Sequence, residues 1–223
     1  MTKVFEAWKR AGGQVPFLNW FALHDFTAEA NSSADPKCAP GFRGGASVPA
    51  GGVASQPTVR RQTGPARLLG VLVRRAGPSD IPALIDLCAG LFAEDGGRRD
   101  VAIDLGWPRR EGRTYFSRVI GDDETLGIVA EVDSAAAGYL VGRMREPGET
   151  RPIRVAVLEA MYVQPGHRRR GIGAALVCEF RAWAGQQEAN RLLVTAYAAN
   201  VEAIRFYERE GFTARSVSLE APA

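Results

Sequence analysis

From Val71 onward the apolar positions change period repeatedly, and each change marks an element. Val71-Leu72-Val73-Arg74 reads as a first strand. Gly77-Pro78-Ser79-Asp80 is a turn and helix cap, and Ile81, Leu84, Ile85, Cys88, Leu91 and Phe92 follow at amphipathic-helix spacing. Glu94-Asp95-Gly96-Gly97 is expected to stop that helix, 100–108 to be loop, and Arg110 to Ile120 a second helix with Tyr115, Phe116 and Val119 inward. Two strands follow, Leu126 to Val132 and Ala137 to Met144, joined by residues 133–136 as a hairpin connection. Arg154 to Val163 is nearly all apolar and is predicted to be a central strand covered on both faces. Past Gln164-Pro165-Gly166 the spacing becomes helical from Ile172 through Leu176, Phe180 and Trp183 to about Gln187. Arg191 to Tyr197 is the next strand, Asn200 to Glu210 the last helix, and Phe212 to Leu219 a closing strand. The chain is therefore expected to be α/β, with a mixed central sheet flanked by helices in a single domain over residues 68–223.

Residues 1–67 do not share this alternation. Phe5, Trp8, Phe17, Trp20, Phe21 and Phe26 lie within the first 30 residues, while 31–65 are crowded with Gly, Pro, Ser and Ala. Such a stretch has too little apolar surface to offset the entropy of ordering, so 1–67 reads as a largely disordered N-terminal extension or linker. A partner-binding segment, a docked helix and translated sequence upstream of the true start compete for its first part; composition favours the last or plain disorder.

Composition excludes several classes of function. The 223 residues carry a formal charge of +3, and apart from one arginine triplet the cations are scattered, so nucleic acid is not the expected partner. Cys38, Cys88 and Cys178 are far apart and odd in number, which argues against a disulfide framework and a zinc site and favours a reducing cytoplasm. Cys88, on the apolar face of the first helix, reads as a small buried hydrophobe. No apolar window approaches the roughly 18 residues of a membrane span, and no secretory signal is evident. A chain of this size is compatible with a homodimer.

The chemistry concentrates in Val157 to Val177, a strand leading through Arg168-Arg169-Arg170 and Gly171-Ile172-Gly173 into a helix. Unpaired N–H groups and the positive end of the macrodipole make a helix start a phosphate site, and glycines without Cβ let a ligand come close. The third glycine of a dinucleotide fingerprint is missing and no Gly-Lys-Ser/Thr follows, so NAD and ATP fit poorly.

The spacing Arg168-x-x-Gly171-x-Gly173 after Met161-Tyr162-Val163, with Asn200 and Phe206-Tyr207-Glu208-Arg209-Glu210-Gly211-Phe212 downstream, resembles the GNAT superfamily of N-acetyltransferases over roughly Val71 to Glu220. The resemblance implies acetyl-CoA as co-substrate, no metal, and a small-molecule amine as the favoured acceptor, with protein, peptide or aminoacyl-tRNA amines and a non-catalytic acyl-CoA sensor as alternatives. It places the CoA pyrophosphate on the backbone of Arg168, Arg169, Arg170, Gly171, Ile172 and Gly173. The pantetheine arm then lies along Met161, Tyr162 and Val163, and Asn200 caps its helix, touches the cofactor, or does both. Tyr207 matches the tyrosine that protonates the departing thiolate. Glu159, a charge interrupting an apolar strand, is the candidate base, with an ion pair to a neighbour such as Arg154 as the competing reading. Glu94, Asp95, Asp100 and Asp104 fall where the family's acceptor loop lies, and their charge suits a cationic amine. Trp107 and Tyr115 are candidates either for stacking on substrate or for the core.

Overall fold

In the computed structural model, residues 66–68 and 70–221 are described; most of the expected extension lies outside them. Six strands form one sheet in the order β1 to β6: β1 (Ala66–Leu68), β2 (Val71–Arg75), β3 (Thr125–Val132), β4 (Ala135–Arg145), β5 (Val155–Val163) and β6 (Arg191–Val194). Neighbours pair antiparallel except β5 and β6, which are parallel. Between the strands run α1 (Ile81–Leu91), α2 (Trp107–Gly121) and α3 (Ile172–Gln186), and α4 (Val201–Arg209) follows β6.

The period-2 pattern of β4 sorts the core onto two faces. Leu140 and Met144 join Leu158 beneath Ile172, Leu176, Phe180 and Trp183 of α3. Tyr139 and Val141 join Ala160 beneath Leu84 and Cys88 of α1 and Phe116 and Val119 of α2. The central strands are thus covered on both sides, as their apolar runs require. Cys88 is buried, and desolvation lifts its thiol to about 11, the behaviour of a core residue. Trp107 and Tyr115 also pack rather than project: Phe92 stacks on Trp107 at 6.0 Å, Tyr115 meets Trp107 edge-on at 5.6 Å, and Phe116 meets Tyr139 at 6.0 Å.

The strand expected from Arg191 to Tyr197 ends at Val194, and four further local features depart from the pattern-based expectation. A short strand, β1, precedes the expected first one and pairs Leu68 with Val71 through a connection that holds Gly70 at φ +77°. The β3–β4 connection is two residues long, because Asp133 and Ser134 both adopt positive φ (50° and 64°), the conformation of a tight hairpin turn, and free Ala135 and Ala136 for the ladder. Glu94 does not end the first helix. The chain winds on through a π turn over Phe92–Gly96 and a short helical turn, Gly97–Arg99, and α2 starts at Trp107. Residues 212–220 form no strand: Phe212 packs edge-on to Tyr207 at 5.7 Å under the Arg181 guanidinium, while Val217 and Leu219 stand 81% and 89% exposed. Alternation there lacks a neighbouring strand to pair with, and β-propensity without a partner edge does not make a strand.

Candidate active site

β5 and β6 pair only from Val155–Arg191 to Leu158–Val194. Beyond Leu158 the two strands part, and a cavity of about 660 Å³ opens along Glu159 to Val163. Of the residues expected at the donor and catalytic positions its walls bring together Glu159, Met161, Tyr162, Val163, Arg168, Arg169, Gly171, Ile172, Gly173, Asn200 and Tyr207; of the acceptor-side candidates Glu94 and Asp95 line it, while Asp100, Asp104, Trp107 and Tyr115 do not. Arg170 is the exception among the donor-side candidates; it is exposed and is not part of the lining. His167, Arg205 and Arg209, which the sequence did not single out, line the cavity as well.

The notch follows from the strand ladder. β4 pairs Val141 with Ala160 but Gly142 with Leu158, so Glu159 is the extra residue of a β-bulge. A bulge re-aims a side chain. Glu159 turns toward the α1–α2 face, where Arg143 Nε donates to Oε1 at 3.0 Å and the Tyr115 hydroxyl donates to Oε2 at 3.4 Å. Burial pushes the Glu159 carboxyl above the usual range, with Arg143 opposing the shift. Arg154, the neighbour expected to pair with it, instead donates to the Gln187 carbonyl and to Glu124 and Glu146. Arg143 carried a signal that sequence reading passed over: it interrupts the apolar run of β4 as Glu159 interrupts that of β5.

The two motif glycines serve different needs. Gly171 is the N-cap of α3 and adopts φ +79°, which a residue with a Cβ takes at a cost. No side chain caps this helix, so the first-turn N–H groups of a 15-residue helix are left to the cavity. Gly173 makes room for packing, since a Cβ there would stand 3.2 Å from the Phe206 ring of α4.

α4 closes the other side. Asn200 Oδ1 accepts from the Ala203 N–H at 3.1 Å, capping the helix, and its Nδ2 donates to Asp95 at 2.9 Å. Tyr207 lines the cavity between Phe206 and Phe212, and burial, reinforced by the Asp95 charge, holds its phenol protonated well above the ordinary range.

The acidic residues of the acceptor side are already paired within the chain. Glu94 accepts from Arg168, Asp95 from Arg99 and Asn200, Asp104 from Arg110, and Asp100 from the Ala102 N–H. Of these, Glu94 and Asp95 line the cavity, where Glu202 and Glu210 of the α4 side join them; Asp100 and Asp104 lie outside the lining. Among the described residues no group of His, Cys, Asp and Glu is arranged to hold a metal ion, and no helix is long and apolar enough to cross a membrane.

An open strand edge beside an uncapped helix start, with a mostly buried carboxyl and a half-buried phenol on one cavity, is the layout of an acyltransferase of the GNAT class. The sequence profile of the Acetyltransferase (GNAT) family matches residues 96–212, and the chain belongs to that family. It is 28% identical over 109 residues to an uncharacterized N-acetyltransferase of Methanocaldococcus jannaschii, a match covering 49% of this chain and 48% of the relative; the chain thus spans about half of that relative. A mutant of the BH1408 protein from Bacillus halodurans shares the fold with a TM-score of 0.62 at 16% identity, over 68% of this chain and 98% of that one. An aminoglycoside N-acetyltransferase in complex with CoA shares it with a TM-score of 0.58 at 15% identity, over 73% and 97%.

Proposed function

We propose that the protein is a cytoplasmic acetyl-CoA-dependent N-acetyltransferase that moves an acetyl group to a primary amine by direct attack. The observation that carries the reading is the notch between β5 and β6, which leaves the strand from Glu159 to Val163 unpaired on its β6 side, with β4 still on the other, and ends at the uncapped start of α3. Pantetheine is a peptide-like chain with two amides, and an extended amide chain adds to a free strand edge by backbone hydrogen bonds. The N–H groups from Arg169 to Gly173 suit the pyrophosphate, with the Arg169 side chain at the same wall to balance charge.

The reaction makes three demands on the chain. An amine with pKa about 10.4 is neutral in about one molecule in 2,500 at pH 7, a penalty of about 4.6 kcal/mol. Glu159, buried at the cavity wall with its pKa raised, is the group to take that proton, directly or through water. The thioester carbonyl needs a donor as charge builds on oxygen, and a backbone N–H near Val163 is the proposed donor. The departing thiolate needs a proton, and Tyr207 is kept protonated by burial and by Asp95. One carboxyl and one phenol with opposite tasks then share one cavity.

The reading is tested by following free thiol released from acetyl-CoA over a panel of polyamines, aminoglycosides, amino acids and peptides. Release that depends on both enzyme and one class of amine is expected. Tight binding of acetyl-CoA with no turnover against any class would favour a non-catalytic acyl-CoA sensor.

A further inference from the structure

Adjacent residues of the π turn, Glu94 and Asp95, each reach across the cavity to an element of the donor side. Glu94 holds Arg168 through two parallel bonds of 2.7 Å, from Nη1 to Oε1 and from Nη2 to Oε2. The Tyr162 hydroxyl donates to the same carboxylate at 3.4 Å, and the Arg168 guanidinium lies over the Tyr162 ring, 5.6 Å from its centre. Arg168 Nε donates to the Val163 carbonyl at 2.9 Å. Asp95 holds Asn200, the cap of α4. Turns of the π type recur at functional sites, and this one places two neighbouring carboxylates on the same cavity wall.

The guanidinium of Arg168 is therefore fixed on both sides. Reaching for a phosphate would cost it the bidentate pair, and bidentate geometry is the class of partly exposed ion pair that does contribute. What the fixed geometry does is tie the carbonyl end of β5 to the acceptor-side turn. We propose that Arg168 acts in donor binding as a strut rather than as a phosphate ligand, and that Glu94 is the positioning residue that sets it. The phosphates are then left to the backbone N–H groups of the α3 start and to Arg169. Residues on the acceptor side of the cavity thereby shape the donor site. This inference rests on the acetyl-CoA reading above.

A strut and a phosphate ligand differ in which part of the donor feels their loss. Pantetheine carries the amide arm without any phosphate. The test measures inhibition of acetyl-CoA turnover by CoA and by pantetheine in the full chain and in Arg168→Met, Glu94→Gln and the double variant, with melting temperatures alongside. Both inhibition constants are expected to rise by a similar factor, about three- to tenfold, as for the net loss of one ordinary hydrogen bond. The double variant is expected to be no worse than the poorer single one, because the pair acts as a unit. A loss confined to CoA would make Arg168 a phosphate ligand and overturn the proposal. So would tighter CoA binding in Glu94→Gln, or fully additive losses. Should Arg168→Met fail to fold, Glu94→Gln alone decides, since it leaves Arg168 free to meet a phosphate. A wild-type chain that neither binds nor turns over acetyl-CoA would bring down the activity reading itself, an outcome distinct from any ratio between the two inhibitors.

Discussion

In the proposed reaction Glu159 and Tyr207 have different tasks, and the same two forces, burial and a neighbouring charge, act on both. For Glu159 burial raises the pKa and Arg143 resists, so the carboxyl becomes a stronger base than an exposed glutamate while still able to ionise. Activity should accordingly rise with pH through a limb above the ordinary carboxylate range, and Arg143→Gln should move that limb higher. Glu159→Gln should lose it and shift activity to higher pH; a profile that does not move removes the base role. The same shift carries a sign for stability. A folded-state pKa raised above the unfolded one means that the stabilisation is present below the ordinary glutamate value and is lost as pH rises through the folded value. The melting temperature of Glu159→Gln should therefore gain on the wild type between acid and mildly alkaline pH, and a constant difference would contradict the buried carboxyl. For Tyr207 burial and Asp95 act in the same direction, keeping the proton on. Tyr207→Phe should lower kcat by about 10²–10⁴-fold while the KM for acetyl-CoA changes little; an unchanged kcat sinks the assignment.

Elements were legible where a periodic run meets a turn residue. α1, β3, β5 and α3 are visible as patterns because each buries a regular face, and Asn200 announces α4 as its cap. What stayed hidden depends on partners that sequence spacing does not show. The bulge at Glu159 exists in the ladder between β4 and β5, the notch exists because β6 is short, and the contacts of Glu94 and Asp95 join residues far apart in the chain. The closing strand was expected from alternation alone, and Val217 and Leu219 remain exposed because alternation supplies no neighbour. Glycines of the sheet give a test at this scale. A Cβ at Gly138 would stand 2.8 Å from the Tyr162 carbonyl oxygen, a backbone atom that cannot rotate away. Gly138→Ala should destabilise by about 1–3 kcal/mol, seen as a fall of several degrees in melting temperature. Its strain falls on β5 at the cavity, so acetyl-CoA affinity should weaken as well. An alanine accepted there without loss would mean that β4 and β5 lie further apart than described.

At the scale of the whole molecule the sheet divides the labour. One face, under α3, holds the larger core and the helix start proposed for phosphate; the other, under α1 and α2, carries Glu159 and the wall proposed for the acceptor. The cavity sits where β5 and β6 separate, so the reacting carbonyl would lie between the two halves. Fold likeness alone does not choose an acceptor, and the two acceptor-side carboxylates on the wall, Glu94 and Asp95, are each paired with an arginine. The central claim is that the chain transfers acetyl to nitrogen at this cavity, rather than binding or hydrolysing the thioester. The most direct measurement follows acetyl-labelled acetyl-CoA with the amine that best supports thiol release, and determines by mass spectrometry where the label goes. The account predicts one acetyl group recovered as amide on the amine for each thiol freed. Label recovered as acetate, or retained on intact acetyl-CoA, would contradict it.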